Sequence, residues 1–256
     1  MIDTHAHLTE EVYNSTRKEM IDSFVDNGLE KVFTVAYDIH SSVDCVKLAE
    51  EHDNIYAIIG VHPENCREYN EETRQQLKDL AKSNKVIAIG EIGLDYHYEG
   101  YDKELQRQVF VDQIKLAHEL QLPIVIHLRD AVADLIAVLQ QHKEWLKYGV
   151  LVHCFSESIE SYQILEKLGC YVAFGGVVTF KNARRLQEVA TYVPLDKMVL
   201  ETDCPYLAPT PYRGQLNQPK YVRHVAEKIA ELKNCTVEEV IEATTRNAYH
   251  LFARVK

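Results

Sequence analysis

The sequence Ile124-Val125-Ile126-His127-Leu128-Arg129 places a histidine and an arginine at the end of a short apolar run. The run is rich in β-branched residues, which is typical of a parallel strand that is buried on both faces. Residues two positions apart in a strand point to the same side, so His127 and Arg129 share one face. This stretch predicts a buried strand with polar side chains at its carboxyl end.

The same pattern recurs along the chain. Short apolar runs alternate with longer segments of helical periodicity, such as the stripe formed by Leu105, Val109 and Phe110. This alternation predicts an α/β fold, either a closed (β/α)8 barrel of the TIM type or a large doubly wound sheet. Eight strands are predicted, one at the start of the chain and the others at 31–36, 55–60, 86–90, 123–127, 150–153, 171–174 and 198–201.

Three further segments carry predictions of their own. Met20, Phe24 and Val25 lie on one predicted helical stripe that Gly28 closes. Residues 205–219 hold four of the seven prolines and predict an ordered loop that shapes a site. Helices are predicted near the end of the chain at 221–232, 237–244 and 246–252.

The polar residues that end the predicted strands decide between the two folds. In a barrel, the carboxyl ends of all strands meet on one face, whereas an open sheet keeps several of them apart. Histidine and carboxylate residues recur at these ends, which favours a single TIM-type barrel, one domain over 1–256, with a metal site at the C-terminal ends of the strands. The predicted ligands are His5, His7, Glu91, His127, His153 and Asp203.

The chemistry of these residues indicates the kind of ion. Neutral imidazole together with carboxylate suits Zn, Mn, Fe or Co and holds Mg less tightly. A carboxylate can bridge two ions that lie about 3.5–4 Å apart. The predicted cofactors are therefore two divalent cations, Mg, Mn or Zn. The histidines outside the strand ends are interpreted as surface or packing residues, namely His40, His52, His97, His118, His142, His224 and His250.

Composition restricts the partners and the compartment. The formal net charge of −11 argues against extended, non-specific coating of DNA, but bound cations still allow a nuclease. No apolar run approaches the roughly 20 residues that span a bilayer, and no signal-peptide pattern is visible. The six cysteines form no C-x-x-C pair and are interpreted as reduced thiols. We expect a cytoplasmic protein with no membrane association and no obligate protein partner.

Six motifs, in this order, closely resemble the TatD-related deoxyribonucleases, a branch of the amidohydrolase-like barrels, and the resemblance covers essentially the whole chain. The motifs are Asp3-Thr4-His5-Ala6-His7, Gly60-Val61-His62-Pro63, Gly90-Glu91-Ile92-Gly93-Leu94-Asp95-Tyr96, His127-Leu128-Arg129-Asp130, His153-Cys154-Phe155-Ser156 and Glu201-Thr202-Asp203-Cys204-Pro205-Tyr206.

The resemblance implies a binuclear site and an activity on DNA ends. By position, His5, His7, Glu91 and Asp203 would hold the first cation, and Glu91, His127 and His153 the second, so that Glu91 is the bridge. One departure is visible: the chain has Leu216-Asn217-Gln218-Pro219 where family members commonly have Arg-Asn-Glu-Pro. This departure leaves the predicted metal ligands unchanged, but it affects the details of substrate binding that the resemblance implies.

The predicted reaction is exonucleolytic hydrolysis of DNA phosphodiester bonds by a metal-activated hydroxide, with DNA ends or short single-stranded DNA as substrate. Asp203 is predicted to orient the water and take its proton, and Glu91 to bridge the ions. His62 and Arg129 are predicted to bind substrate, Arg129 by gripping a phosphoryl oxygen. An amidohydrolase or esterase acting on a small ester, lactone or amide is the alternative enzyme. A cation-dependent binding protein without turnover is a second alternative.

Several residues expected around the mouth of the barrel have two alternative interpretations. A basic group after the seventh strand either follows a nucleic-acid backbone or is a solvated helix start. Four tyrosines either stack on bases or pack within loops. Asp95 is interpreted as shaping a loop or supporting a ligand from behind. The basic group is Lys181, Arg184 and Arg185, and the tyrosines are Tyr96, Tyr98, Tyr206 and Tyr212.

Overall fold

The computed structural model describes residues 1–256. Eight parallel strands pair in sequence order, and a parallel bridge between Ala6 and Cys204 returns the last strand to the first. The amide of His7 donates to the Cys204 carbonyl at 2.7 Å, which closes the ring of strands. The strands are β1 (Ile2–Ala6), β2 (Lys31–Val35), β3 (Ile55–Ile59), β4 (Val86–Asp95), β5 (Ile124–Arg129), β6 (Val150–Val152), β7 (Tyr171–Phe174) and β8 (Met198–Leu200).

Helices follow the strands and cover the outside, so the predicted TIM-type (β/α)8 barrel is confirmed. None of these helices has the length and apolar character needed to cross a lipid bilayer. The helices are α1 (Arg17–Asp22), α2 (Ile39–Glu51), α3 (Glu71–Leu80), α4 (Lys103–Leu120), α5 (Val132–Gln141), α6 (Ile159–Lys167), α7 (Arg184–Tyr192), α8 (Val222–Lys233) and α9 (Val237–Leu251).

Strand β4 is longer than the sequence predicts, because its pairing with β5 resumes after a shift in register. The shift falls between Ile89 and Ile92, and the pairing then continues to Asp95. Gly90 is required at this point, since a Cβ there would lie 2.7 Å from the Cβ of Val125. The extension matters because it places Glu91 and Asp95 on a strand rather than on a loop.

Two predicted helices differ in extent. The regular helix α1 ends at Asp22, and Val25 is 75% exposed rather than part of the buried stripe. The chain continues in turns to Gly28, whose left-handed φ of 72° and the bond from the Leu29 amide to the Phe24 carbonyl at 2.9 Å confirm the predicted closing glycine. Helix α9 is continuous over Val237–Leu251 where two helices are predicted. The reason is that the Thr244 hydroxyl bonds to the Val240 carbonyl inside the same helix and leaves the backbone ladder intact.

The barrel interior is apolar below the carboxyl ends of the strands. Val125, Leu151 and Val199 belong to an interior cluster that is separate from the larger cluster beneath the helices. The end of α9 and the residues after it close this interior at the opposite end, where Phe252 packs edge-to-face on Phe33 at 5.0 Å. Because side chains alternate along a strand, residues two positions beyond each interior side chain point into the mouth.

Candidate metal centre

The carboxylate of Glu91 lies at the centre of the mouth, among three imidazoles. Its Oε1 is 2.7 Å from Nδ1 of His127 and 2.7 Å from Nε2 of His153. Its Oε2 is 3.2 Å from Nε2 of His5. The two oxygens of one buried carboxylate therefore face imidazoles from β1 on one side and from β5 on the other.

Asp203 completes the cluster on the side of β1. Its Oδ1 lies 3.4 Å from Nε2 of His7 and 3.8 Å from Nε2 of His5. The amide of Asp203 donates to the His5 carbonyl at 2.9 Å, so the closure of the barrel itself fixes the carboxylate beside the two histidines. The backbone φ of 56° at this residue is left-handed, a conformation that Asp tolerates better than most residues.

Three of the histidines have an oxygen atom behind the ring. Nδ1 of His7 lies 3.0 Å from the Val35 carbonyl, which can only accept, so this nitrogen carries the proton. Nε2 of His127 faces Asp95 Oδ2 at 2.9 Å, and Nδ1 of His153 faces Glu201 at 3.8 Å. In each ring the opposite nitrogen faces Glu91 or Asp203, which is where a cation would bind.

His62 differs from these histidines in its tautomer. Its Nδ1 accepts the amide proton of Glu64 at 3.2 Å, so in the neutral ring the proton sits on Nε2. Burial and the neighbouring His127 lower the pKa of His62 to about 3, which keeps the ring neutral. Its Nε2 lies 3.8 Å from Glu91 Oε1 and therefore presents a hydrogen-bond donor to the mouth instead of a lone pair.

The mouth holds ionised carboxylates and a strongly basic imidazole. Burial opposes the ionisation of Glu91, but His153 and His5 hold its pKa well below its usual range. For His153, burial opposes the charge, yet the attraction of Glu91 raises its pKa well above the usual value. Coordination of a cation by His153 must therefore release a proton.

The donor set fits divalent cations. Both ring nitrogens of His5 are buried without a hydrogen-bond partner, and Nε2, which faces Glu91 and Asp203, is the one placed to bind a metal ion. Three groups of possible ligand atoms are present, and within each group the atoms lie within 4.8 Å of one another: His5, His7 and Asp203; His5, Glu91 and His153; and His62, Glu91 and His127. In the third group His62 carries its proton on Nε2, so Glu91 and His127 are the donors that face a cation there. Nitrogen and carboxylate donors of this kind suit Zn, Mn and related ions. The structure thus brings together all six predicted ligands.

Supporting residues were missed by the sequence analysis. Glu201 is fully buried and accepts the amide proton of Cys154 at 2.6 Å. The signal for it was the period of β8, because Val199 and Glu201 are two positions apart and share the interior side. Asp3 is also buried and accepts from the amide of Thr202 at 2.9 Å, which ties β1 to the end of β8.

Helix α4 holds two strand ends in place through buried glutamines. The side chain of Gln106 bonds to both the amide and the carbonyl of Asp95, each at 2.9 Å. Gln113 bonds in the same way to Val61, again at 2.9 Å for each contact. These contacts fix the backbone next to His62 and at the end of β4. The sequence pattern does not predict these contacts, because both glutamines lie on the face of α4 that the apolar stripe predicts to be buried.

The mouth opens into a cleft of about 930 Å³ whose lining includes His62, Tyr98, Arg129 and Tyr206. The basic group after β7 is exposed and is not part of this lining. Two of the four predicted tyrosines pack within loops instead: Tyr96 stacks on Tyr101 at 4.8 Å, and Tyr212 stacks on Tyr221 at 4.1 Å.

The predicted loop over 205–219 contains no helix or strand before Pro219. It is anchored by Asn217, whose side chain donates to the carbonyls of Thr202 at 2.8 Å and Tyr206 at 2.6 Å. Leu216 and Gln218, the two positions that depart from the family pattern, flank this anchor and do not line the cleft.

A (β/α)8 barrel with a cluster of imidazole and carboxylate ligands at its carboxyl end defines a class, the metal-dependent hydrolases of the barrel type. Within that class, the chain belongs to the family described as TatD related DNase, whose model matches residues 2–253. The confirmed resemblance therefore extends over nearly the full length.

Individual relatives agree with this assignment. The uncharacterised metal-dependent hydrolase YabD of Bacillus subtilis (strain 168) is 43% identical over 98% of both chains. The uncharacterised metal-dependent hydrolase YcfH of Escherichia coli (strain K12) is 41% identical over 98% of this chain and 95% of its own. The crystal structure of YjjV, a TatD homologue from Escherichia coli K12, superposes with a TM-score of 0.93 at 29% identity, covering 99% of this chain and 98% of the other. The protein is a metal-dependent hydrolase.

Proposed function

We propose that this protein hydrolyses phosphodiester bonds of DNA from an end, with short single-stranded DNA as its substrate. The observation that carries the proposal is the position of Glu91 between imidazoles of β1 and of β5 and β6, which suits a carboxylate that bridges two cations. The family description as a DNase supports DNA as the substrate. Arg129 at the rim supplies a guanidinium for a phosphoryl oxygen.

The proposal assigns ligands to two divalent cations, Mg, Mn or Zn. His5, His7, Asp203 and Glu91 would hold the first, and His127, His153 and the same Glu91 would hold the second. When bound, such a pair lowers the pKa of a shared water and offsets negative charge in the transition state. Asp95 and Glu201 stay behind the rings of the second site and orient them.

The protein's own side chains then supply proton transfer and binding. Burial opposes the ionisation of Asp203, but the contact with His7 lowers its pKa, so the carboxylate is available to accept a proton from the attacking water. The Nε2 proton of His62 is directed into the cleft and donates to a phosphoryl oxygen. Arg129 donates to Tyr98 at 3.2 Å and is held over its ring, which orients the guanidinium toward substrate.

An amidohydrolase or esterase acting on a small ester, lactone or amide is the second candidate. The same metal site performs several hydrolytic reactions on barrels of this type, so the fold does not choose among them. The cleft also carries carboxylates at Glu10 and Glu64, which favour a small substrate over a long polyanion. A binding protein without turnover would use the same cations but release no product.

One experiment separates these candidates. Purified protein is analysed for its metal content and then given an end-labelled single-stranded oligonucleotide with Mg, Mn or Zn, next to a panel of esters, lactones and amides. We expect progressive shortening from one end that a chelator stops and that fresh cation restores. If a compound of the panel is hydrolysed and the oligonucleotide stays intact, the protein is an amidohydrolase or esterase and not a nuclease. Cation binding with no product at all would leave only the binding protein.

We also propose the cytosol as the compartment, with neither a membrane nor an obligate protein partner. The support is that all six cysteines are free, and four of them are buried. Free buried thiols are typical of a reducing environment. Fractionation of cells followed by detection of the protein tests this proposal.

A further inference from the structure

The cleft has two walls of different chemistry. Strands β1 and β5 are four steps apart in a closed ring of eight and therefore lie on opposite sides of the mouth. Tyr98, which follows β4, and Arg129, the last residue of β5, form the wall that we call the cationic wall. Glu64, which follows β3 and lines a second cavity together with Tyr98, adds a carboxylate next to this wall. The opposite side, the acidic–aromatic wall, consists of Glu10, Tyr37 and Tyr206, which follow β1, β2 and β8.

The acidic–aromatic wall borders the metal centre directly. The ring of Tyr37 lies 6.3 Å and the ring of Tyr206 lies 6.0 Å from the ring of His7, measured between centroids. Tyr206 is 53% exposed, so much of its surface is open to a ligand in the cleft. A planar group placed here has an aromatic surface to pack on while its neighbouring atoms reach the cations.

Glu10 sets the charge of this wall. Burial and then the carboxylate of Glu10 raise the pKa of Tyr37 to about 12, and the same two causes raise the pKa of Tyr206. Both hydroxyl groups therefore stay protonated next to an acid. Arg129 is the one lysine or arginine that lines the cleft, and it belongs to the other wall. The acidic–aromatic wall thus accepts neutral hydrogen-bond donors and repels anions.

From this asymmetry we propose that the acidic–aromatic wall is a subsite for the terminal nucleoside of the substrate and that it selects a terminal hydroxyl group over a terminal phosphate. The base packs on Tyr206, the free sugar hydroxyl donates to Glu10, and the rest of the strand leaves past Arg129. A terminal phosphate would bring about two negative charges against Glu10. The proposal rests on the proposed phosphodiesterase function and specifies which ends the enzyme accepts.

The test compares oligonucleotides that differ only in the terminal group, hydroxyl or phosphate, at the 3′ or the 5′ end. At the end that is attacked, we expect wild type to prefer the hydroxyl at least tenfold in kcat/KM. Glu10→Gln should reduce this preference below about threefold, because the charge is removed while the shape is kept. Glu11→Gln is the matched control, since Glu11 is exposed and outside the cleft. Equal use of both ends by wild type, or an unchanged preference in Glu10→Gln, overturns the proposal.

A second substrate and a binding measurement separate the subsite from the reaction. Bis(p-nitrophenyl) phosphate carries neither a nucleoside nor a terminal phosphate, so its hydrolysis by wild type reports the proposed function without the subsite. Tyr206→Leu should raise KM for a dinucleotide by about tenfold and leave kcat within twofold. Calorimetric titration with hydroxyl-terminated and phosphate-terminated dinucleotides reports the same preference without turnover. If no phosphodiester is hydrolysed but this binding preference appears, the subsite stands and the proposed function falls; if the preference is absent there too, the subsite is wrong.

Discussion

At the carboxyl ends of the strands the barrel buries imidazoles and carboxylates, whereas at the opposite end it buries Phe33 and Phe252. Both ends are built on the same eight strands and differ by a few residues per strand. The apolar end stabilises the fold because its side chains are removed from water. The polar end brings together buried carboxylates and imidazoles, and the burial of such groups opposes folding. Stability and chemistry are therefore divided between the two ends of the barrel, as is common in barrel enzymes.

The largest expected effect is that of Asp203→Asn on hydrolysis. Loss of the proton acceptor should lower kcat by about 10²–10⁴-fold, while the thermal midpoint changes little because Asn keeps the shape. Steady-state kinetics together with thermal unfolding provides the measurement. Asp53→Asn is the control, since Asp53 is exposed and does not line the cleft. Near-full activity of Asp203→Asn would show that another group accepts the proton.

Phe252→Ala should have the opposite profile. This ring fills the apolar end of the barrel and is fully buried, so its removal should cost about 3–5 kcal/mol of the free energy of unfolding. Denaturant unfolding measures the loss, and kcat per folded molecule at low temperature should stay unchanged. A large loss of kcat in well-folded Phe252→Ala would mean that the two ends are coupled.

Asp95→Asn tests whether Asp95 orients His127, a predicted metal ligand. Asp95 lies 2.9 Å from Nε2 of His127, and replacing a charged partner by a neutral one should weaken binding of one cation about 10–100-fold. Calorimetric titration of chelator-treated protein with Mn or Zn measures this affinity. Asp130→Asn is a suitable control, because Asp130 is exposed and contacts His97 at the rim. Simultaneous loss of both cations would contradict the division of ligands.

Cation affinity should also depend on pH, by up to about tenfold per unit for each proton released. The attraction of Glu91, acting against burial, raises the pKa of His153, so this ring holds a proton that the cation must displace. Affinity is therefore expected to rise with pH. In the cation-free protein, the raised pKa of His153 stabilises the fold. This contribution is complete at pH values below the pKa of histidine in the unfolded chain, and it is lost as the pH rises through the raised pKa. Thermal midpoints at two pH values, with and without Zn, check both signs.

Tyr56→Phe should have the smallest effect. The hydroxyl of Tyr56 accepts from the Lys256 amide at 3.0 Å and lies 3.1 Å from its carbonyl, away from the metal centre. Removing it should cost about 0.5–1.5 kcal/mol of stability and leave kcat and cation affinity unchanged. Denaturant midpoints of the two proteins, measured side by side, are sufficient. Any change in cation affinity would break the separation between the ends.

Much of the site was predictable from the sequence, because each ligand sits at the end of an apolar run and parallel strands align their carboxyl ends. The basic group after β7 and Tyr212 carried no comparable signal, and the structure places them outside the cleft lining or in loop packing. The tautomer of His62 was equally hidden, since it depends on the amide of Glu64 and on local backbone geometry.

Residue type and spacing alone encode the alternation of strands and helices, the family and the set of candidate ligands. The folded barrel is needed to establish that Gln106 and Gln113 hold the strand ends, that Glu201 lies behind His153, and that Glu10 and Arg129 line one cleft. These relations join residues far apart in the chain, so their distances exist only after the barrel has closed.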